Sequence, residues 1–176
     1  FDGPAHCDDD AAAISLGRDG SVHVTGRIDH PHLCDEGDRL HPDARPGDFG
    51  TLKYDTGGRL LWTARYEGKS RFGSGVATAI ALDDVGNVYV TGVDGQYFEC
   101  DVELEPTPDD YATVKYSPEG EELWAVAYAG PGDRDDGASA IAVDRAGAVY
   151  VTGTSGSTPF SGGGDIATVR YGQKEE

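Results

Sequence analysis

Histidine and cysteine are concentrated in two short stretches near the start of the chain. The stretches are His6-Cys7 and His30-Pro31-His32-Leu33-Cys34, and His41 follows them. Imidazole nitrogen and thiolate sulfur are ligands that suit Zn²⁺ and copper. His6, His30 and His32 are therefore candidate ligands of a Zn²⁺ or copper ion, although their spacing matches no established zinc motif.

The three cysteines allow a second interpretation of the same stretches. An intrachain disulfide between Cys7 and Cys34 would join two long loops, and the histidines would then be solvated side chains. Cys100 would be left without an intrachain partner, so it would be free or would pair with another molecule. The metal site, the disulfide and the solvated side chains all stay open at this point.

Aspartates form a second group of candidate ligands. Ca²⁺ prefers several oxygen ligands from flexible loops, and two connecting segments of the chain are rich in carboxylates. The candidates are Asp8, Asp9, Asp10, Asp133, Asp135 and Asp136. No EF-hand loop or glycine-rich nonapeptide calcium repeat occurs. The alternative is that these residues cap turns and keep the surface solvated.

Sequence patterns for catalysis are sparse. The chain has no Gly-x-Ser-x-Gly elbow, no phosphate-cradling loop, no His-Glu-x-x-His and no Cys-x-x-Cys. Acid pairs are plentiful, but a glycosidase needs two at a set separation across a sugar cleft. We therefore predict no catalytic residues and no enzyme activity. A fragment of a polysaccharide lyase or glycosidase is the catalytic alternative.

The charge of the chain excludes two classes of partner. The formal net charge is −18, and both nucleic acids and anionic membranes require clustered Lys and Arg. No apolar run approaches the roughly 18 residues that a membrane-spanning helix needs. We expect neither nucleic-acid binding nor membrane insertion.

The elements that would position these residues are β-hairpins that recur along the chain. The runs Val22–Gly26, Val88–Gly92 and Val149–Gly153 each follow an Asp/Gly turn and a short apolar strand. Strand, Asp/Gly turn, strand predicts a hairpin. The hairpin returns at a nearly fixed interval, because Thr25 to Thr91 is 66 residues and Thr91 to Thr152 is 61. A period of this length with strands and no helical pattern predicts propeller blades.

Two further strands complete each of the first two repeats. The last strand carries Trp62 and Tyr66 in the first repeat and, at the equivalent positions, Trp124 and Tyr128 in the second. The third repeat has a third strand and then stops at Glu176. The predicted organisation is an inter-blade connector at 1–10, blade 1 at 11–67, blade 2 at 68–129 and blade 3 at 130–176. The predicted fold class is all-β, with about three four-stranded antiparallel blades of which the last lacks its outer strand.

The repeat resembles a known family. Asp83–Gly92 reads Asp-x-x-Gly-Asn-Val-Tyr-Val-Thr-Gly, and together with Gly132–Gly137 and Gly163–Val169 it is similar to the SBBP repeat of bacterial and archaeal seven-bladed β-propellers. The resemblance implies a secreted or surface-attached protein in a family with no general catalytic activity. This chain departs from it by holding under three blades and by carrying Cys and His in its loops.

These observations predict an extracellular or cell-surface scaffold with a structural or interaction role. The alternative is a calcium-binding surface module. A third sheet without an outer strand would expose unpaired backbone groups. We therefore expect the partners to be other blades of the same protein, or neighbouring copies that supply the missing strand and so build an oligomer or filament.

Overall fold

A computed structural model describes residues 9–29, 47–68, 75–95, 108–131, 134–157 and 164–172. The described residues form antiparallel strands. They contain no helix that is long and apolar enough to span a membrane. The strands are β1 (Asp10–Leu16), β2 (Val22–Asp29), β3 (Gly47–Tyr54), β4 (Leu60–Tyr66), β5 (Val76–Leu82), β6 (Val88–Asp94), β7 (Asp110–Tyr116), β8 (Glu122–Tyr128), β9 (Asp135–Val143), β10 (Val149–Ser157) and β11 (Asp165–Tyr171).

The strands form three separate antiparallel sheets, which we call blades. Blade 1 has the order β1-β2-β3-β4 and blade 2 the order β5-β6-β7-β8. Blade 3 has β9, β10 and β11, with β10 in the centre. The predicted all-β class, with three blades of which the last has one strand fewer in the described residues, is confirmed.

The Thr-Gly pair that closes each repeated run fixes the register of its blade. The Thr25 hydroxyl donates to the Gly50 carbonyl at 2.9 Å, and Thr91 and Thr152 make the same bond to the third strand of their own blades. The glycine that follows lies against the backbone of the first strand, where the register shifts by one residue. At Gly92, for example, a Cβ would collide with the Val76 carbonyl. The motif therefore marks a β-bulge that only glycine fits.

Two apolar clusters join the blades. Between blades 1 and 2, Phe49 packs with Val88, Val90 and Val114, and all four are fully buried. Between blades 2 and 3, Tyr89 and Tyr111 pack with Val149 and Val151. Each strand thus sends alternate side chains to the two sides of its blade, which is why the sequence runs are apolar throughout and not only at every second position.

Candidate functional site

Most of the predicted metal ligands and all three cysteines lie outside the described residues. The ligands are His6, Asp8, His30, His32 and Asp133, and the cysteines are Cys7, Cys34 and Cys100. The Zn²⁺ or copper site and the Cys7–Cys34 disulfide therefore stay predictions. Within the described ranges, no group of three or more His, Cys, Asp or Glu side chains is arranged to hold a metal ion.

Asp10 and Asp136 are two predicted calcium ligands whose contacts are structural. The exposed carboxylate of Asp10 accepts a hydrogen bond at 2.8 Å from the buried guanidinium of Arg27 on the neighbouring strand. Asp136 is buried and accepts the backbone N–H groups of Gly130 and Gly156, the latter at 2.9 Å. Asp136 thereby links the connector after β8 to the C-terminal end of β10.

Asp135 belongs to an acidic group at the junction of blades 2 and 3. Its carboxylate accepts the backbone N–H of Asp109 at 3.4 Å. Burial, followed by the charges of Asp135, Asp110 and Asp94, raises the pKa of the Asp109 carboxyl above its usual value. Negative charge is therefore concentrated on this edge of the blades.

A cleft of about 350 Å³ lies at the opposite edge, between blades 1 and 2. It is lined by Leu16, Gly17, Arg18, Asp19, Ser21, His23 and Lys53 of blade 1 and by Leu82, Asp83, Asp84, Val85, Gly86 and Pro118 of blade 2. Arg18 forms an ion pair with Asp84 across it. The lining thus combines apolar side chains with charges of both signs.

His23 is the most perturbed titratable group of this cleft. It is buried, its Nε2 lies 3.0 Å from the Ser21 hydroxyl, and that hydroxyl donates to Asp19 at 2.6 Å. Because the Ser21 proton points to Asp19, His23 Nε2 carries a proton and donates it to Ser21. The other ring nitrogen, Nδ1, has no hydrogen-bond partner among the described residues.

The electrostatics keep His23 neutral. Burial lowers its pKa to about 4, the Lys53 ammonium contributes in the same direction, and Asp19 opposes them. The order Asp19, Ser21, His23 also differs from a hydrolase triad, in which histidine takes the serine proton and the carboxylate orients the histidine. Here serine lies in the middle, so the contacts orient the histidine and do not activate the serine.

One carbonyl at the edge of the cleft fastens the two blades together. The Lys53 ammonium and the Trp62 indole N–H of blade 1 both donate to the Pro118 carbonyl of blade 2, each at 3.0 Å. The Trp62 ring also covers Gly120, where a Cβ would lie 2.8 Å from Trp62 Cδ2. Gly120 has φ +91°, so both its conformation and its neighbour require glycine.

In the sequence, His23 stands where the other two repeats have tyrosine, which predicts a packed ring, and His23 is buried. The hydrogen-bond partners of the ring were not predicted. Tyr89 and Tyr150, at the equivalent positions, donate to Asp83 and Asp144. Blade 1 has Gly17 where those aspartates lie, so the exchange of tyrosine for histidine accompanies the exchange of aspartate for glycine. Alignment of the three repeats contains that signal.

Comparison with known proteins gives one family. Residues 126–161 match the SBBP family, described as "Beta-propeller repeat". In this structure the match begins within β8, includes β9 and β10, and ends beyond Ser157. It agrees with the resemblance carried by the repeated runs. No curated protein matches the chain.

Proposed function

This chain contains the beta-propeller repeat of the SBBP family, and on that basis we propose that it acts as a non-catalytic scaffold at the cell surface or outside the cell. The observation that carries the proposal is that the polar side chains form hydrogen bonds with the backbone of turns, connectors and a neighbouring blade. Asp83, Asp136 and Asp144 accept backbone N–H groups within turns and connectors. Lys53 joins two blades through Pro118. The aspartates stabilise turns and connectors and Lys53 joins two blades, so these polar groups serve the structure, as expected of a scaffold.

The blade junctions support the same proposal. A scaffold must keep its blades at a fixed spacing, and here aromatic contacts recur at equivalent positions. The ring centroids of Trp62 and Tyr116 lie 6.4 Å apart between blades 1 and 2, and those of Trp124 and Tyr171 lie 6.2 Å apart between blades 2 and 3. Aromatic pairs at this separation add about 0.5–1.5 kcal/mol beyond the burial of their area.

Incubation with a panel of acidic and neutral polysaccharides tests the catalytic part of the proposal. We expect no release of reducing ends or unsaturated sugars, while a thermal scan of the same sample shows that the chain is folded. Turnover that copurifies with the folded chain would favour a lyase or glycosidase. Protease accessibility on intact producing cells tests the location, because a surface protein is cleaved without lysis.

Calcium binding is a second candidate function, and the raised pKa of Asp109 favours it. After burial, the charges of Asp135, Asp110 and Asp94 contribute to that rise, so these carboxylates lie near Asp109, and the oxygen ligands of Ca²⁺ must also lie close together. Binding to the folded state alone would raise the melting temperature in a concentration-dependent way. A melting midpoint that is the same with about 5 mM Ca²⁺ as with EDTA would contradict calcium binding, because about 5 mM exceeds the Kd of weak extracellular sites, which is about 0.1–1 mM.

A further inference from the structure

The cleft between blades 1 and 2 contains a buried polar atom that the described residues leave unsatisfied. The His23 ring lines this cleft and is 1% exposed. Its Nε2 donates to the Ser21 hydroxyl, and its Nδ1 has no hydrogen-bond partner among the described residues. A buried acceptor without a partner destabilises a folded chain, so native structures contain few of them and each one requires an explanation.

Blade 2 shows that the fold itself does not require this unpaired atom. At the equivalent turn, the Asp83 carboxylate accepts the Asn87 side-chain amide at 2.7 Å and the Tyr89 hydroxyl at 3.0 Å. Blade 1 has Gly17 in place of that aspartate and His23 in place of that tyrosine. A local departure from a rule that the equivalent hairpin obeys is expected at functional sites.

The polar groups of the cleft offer both an acceptor and a donor. The neutral ring of His23 offers Nδ1 as an acceptor. Lys53 offers donors, because an ammonium carries three N–H groups and the Pro118 carbonyl accepts from one of them. The Lys53 charge acts on His23, so the two groups lie near one another. A ligand with adjacent hydroxyl groups can donate to the first group and accept from the second.

The charges and the apolar walls of the cleft favour an uncharged ligand. Two cations and three carboxylates of the described residues line it, and Arg18 already pairs with Asp84. A charged ligand would therefore meet groups of both signs. Leu16, Leu82 and Val85 provide apolar surface for C–H groups. The volume of about 350 Å³ lies near the lower end of the range of roughly 300–1,000 Å³ for small-molecule sites, which favours a compact ligand.

We propose that this cleft binds one uncharged sugar unit of about hexose size, with one hydroxyl group donating to His23 Nδ1 and a neighbouring hydroxyl group accepting from Lys53. A pyranose ring combines adjacent hydroxyl groups with an apolar C–H face, so it matches both the polar groups and the walls of the cleft. Free hexoses and the units of an uncharged polysaccharide share this chemistry.

An NMR titration of the whole 176-residue chain tests the proposal. The probes are glucose, galactose, mannose and their uncharged oligosaccharides, at up to about 50 mM, which exceeds the roughly millimolar Kd expected for a ligand of this size. The Trp62 indole N–H, which donates to Pro118 at the edge of the cleft, should shift in a saturable way. Trp124, the other tryptophan, packs at the junction of blades 2 and 3 and is the internal control. Tighter binding of oligosaccharides than of free hexoses would indicate a polysaccharide as the source.

Substitution and pH test the role of the histidine. His23→Phe keeps a ring but removes Nδ1, so it should weaken sugar binding about tenfold. Tyr150→Phe changes the equivalent position of blade 3, whose hydroxyl donates to Asp144 outside the cleft, and should leave binding unchanged. The affinity of the wild type should fall as pH falls toward the His23 pKa of about 4, because a protonated ring cannot accept at Nδ1. This pH dependence decides the role of His23 if His23→Phe does not fold.

Three results would overturn the proposal: no saturable shift of Trp62 with any of the sugars, an equal shift of Trp124, or an affinity that neither His23→Phe nor acidic pH lowers. Binding of acetate or glycine in place of the sugars would also contradict it, because the cleft would then select charge. The scaffold proposal is tested separately, since sugar binding without turnover is compatible with it and turnover in the polysaccharide assay contradicts it alone.

Discussion

The first hairpin of blade 1 and the first hairpin of blade 2 have the same backbone path and opposite polar designs. In blade 2 the Asp83 carboxylate accepts three N–H groups and the Tyr89 hydroxyl, so one acid closes the turn and anchors the ring. In blade 1, Gly17 stands at the position of that acid. A chain of hydrogen bonds through Asp19, Ser21 and His23 takes its place. The comparison shows that a repeat can exchange a whole hydrogen-bond set while its fold is conserved. It also shows where a titratable ring enters the interior.

Removal of the Tyr89 ring should have the largest effect on this comparison. Tyr89 is fully buried and packs on Trp124 with ring centroids 6.2 Å apart. Tyr89→Ala should lower the free energy of unfolding by about 3–5 kcal/mol, as expected for a large aromatic side chain in a core. Urea denaturation at low protein concentration measures it. Tyr150→Ala is the control, and an equal loss there would show that burial beneath the next blade does not decide the cost.

The pH dependence of stability should distinguish the two hairpins through His23. Its pKa is about 4 in the folded chain and near 6.5 when unfolded. Between these values the unfolded state binds the proton more tightly, so the free energy of unfolding falls as pH falls from 6.5 to 4. The stability that depends on neutral His23 is fully present above pH 6.5. Its loss approaches about 3 kcal/mol below pH 4.

Replacement of the titrating ring provides the control for this pH profile. His23→Phe keeps an aromatic ring beside Trp62, whose centroid lies 6.0 Å from that of His23. The difference between the two pH profiles of the free energy of unfolding should isolate the contribution of His23, because the carboxylates are the same in both proteins. Urea denaturation at several pH values gives both profiles. Parallel profiles between pH 6.5 and 4 would mean that His23 is not held neutral.

Loss of the turn acid should come next in size. Asp83→Ala removes the acceptor of the Val85 and Asn87 N–H groups and leaves the buried Tyr89 hydroxyl without that partner. We expect a loss of about 2 kcal/mol, since an unsatisfied buried group costs about 1–3 kcal/mol. Asp144→Ala should cost less, because Tyr150 donates from an exposed position. Thermal or urea unfolding of both variants ranks them.

The repeat register was predictable because its causes are local. Alternating β-branched residues and Asp/Gly turns act within a few residues, and the three predicted runs begin at the first residues of β2, β6 and β10, which are Val22, Val88 and Val149. The contacts of Lys53 and Trp62 with Pro118 were not predictable, because the residues lie 65 and 56 positions apart and meet only when blades pack. Asp136 was predicted as a metal ligand from its type, and only the fold shows that two backbone N–H groups occupy its carboxylate.

The smallest expected effect is the one that tests whether the two designs are interchangeable. Gly17→Asp alone should destabilise blade 1, because a Cβ there would meet the Ser21 hydroxyl and the Asp19 carboxylate. Adding Asp19→Val, Ser21→Asn and His23→Tyr reproduces the blade 2 set, in which one acid accepts from the turn, the asparagine and the tyrosine. The combined variant should recover to within about 1 kcal/mol of wild type, so the coupling is favourable and on the order of 1–2 kcal/mol, as found for residues in one hydrogen-bond network. A thermodynamic cycle that treats Gly17→Asp as one change and the remaining substitutions together as the other measures that coupling from urea denaturation free energies. Additive losses would mean that the Lys53 and Trp62 contacts around the cleft have adapted to histidine, and that the hairpins differ in more than their polar residues.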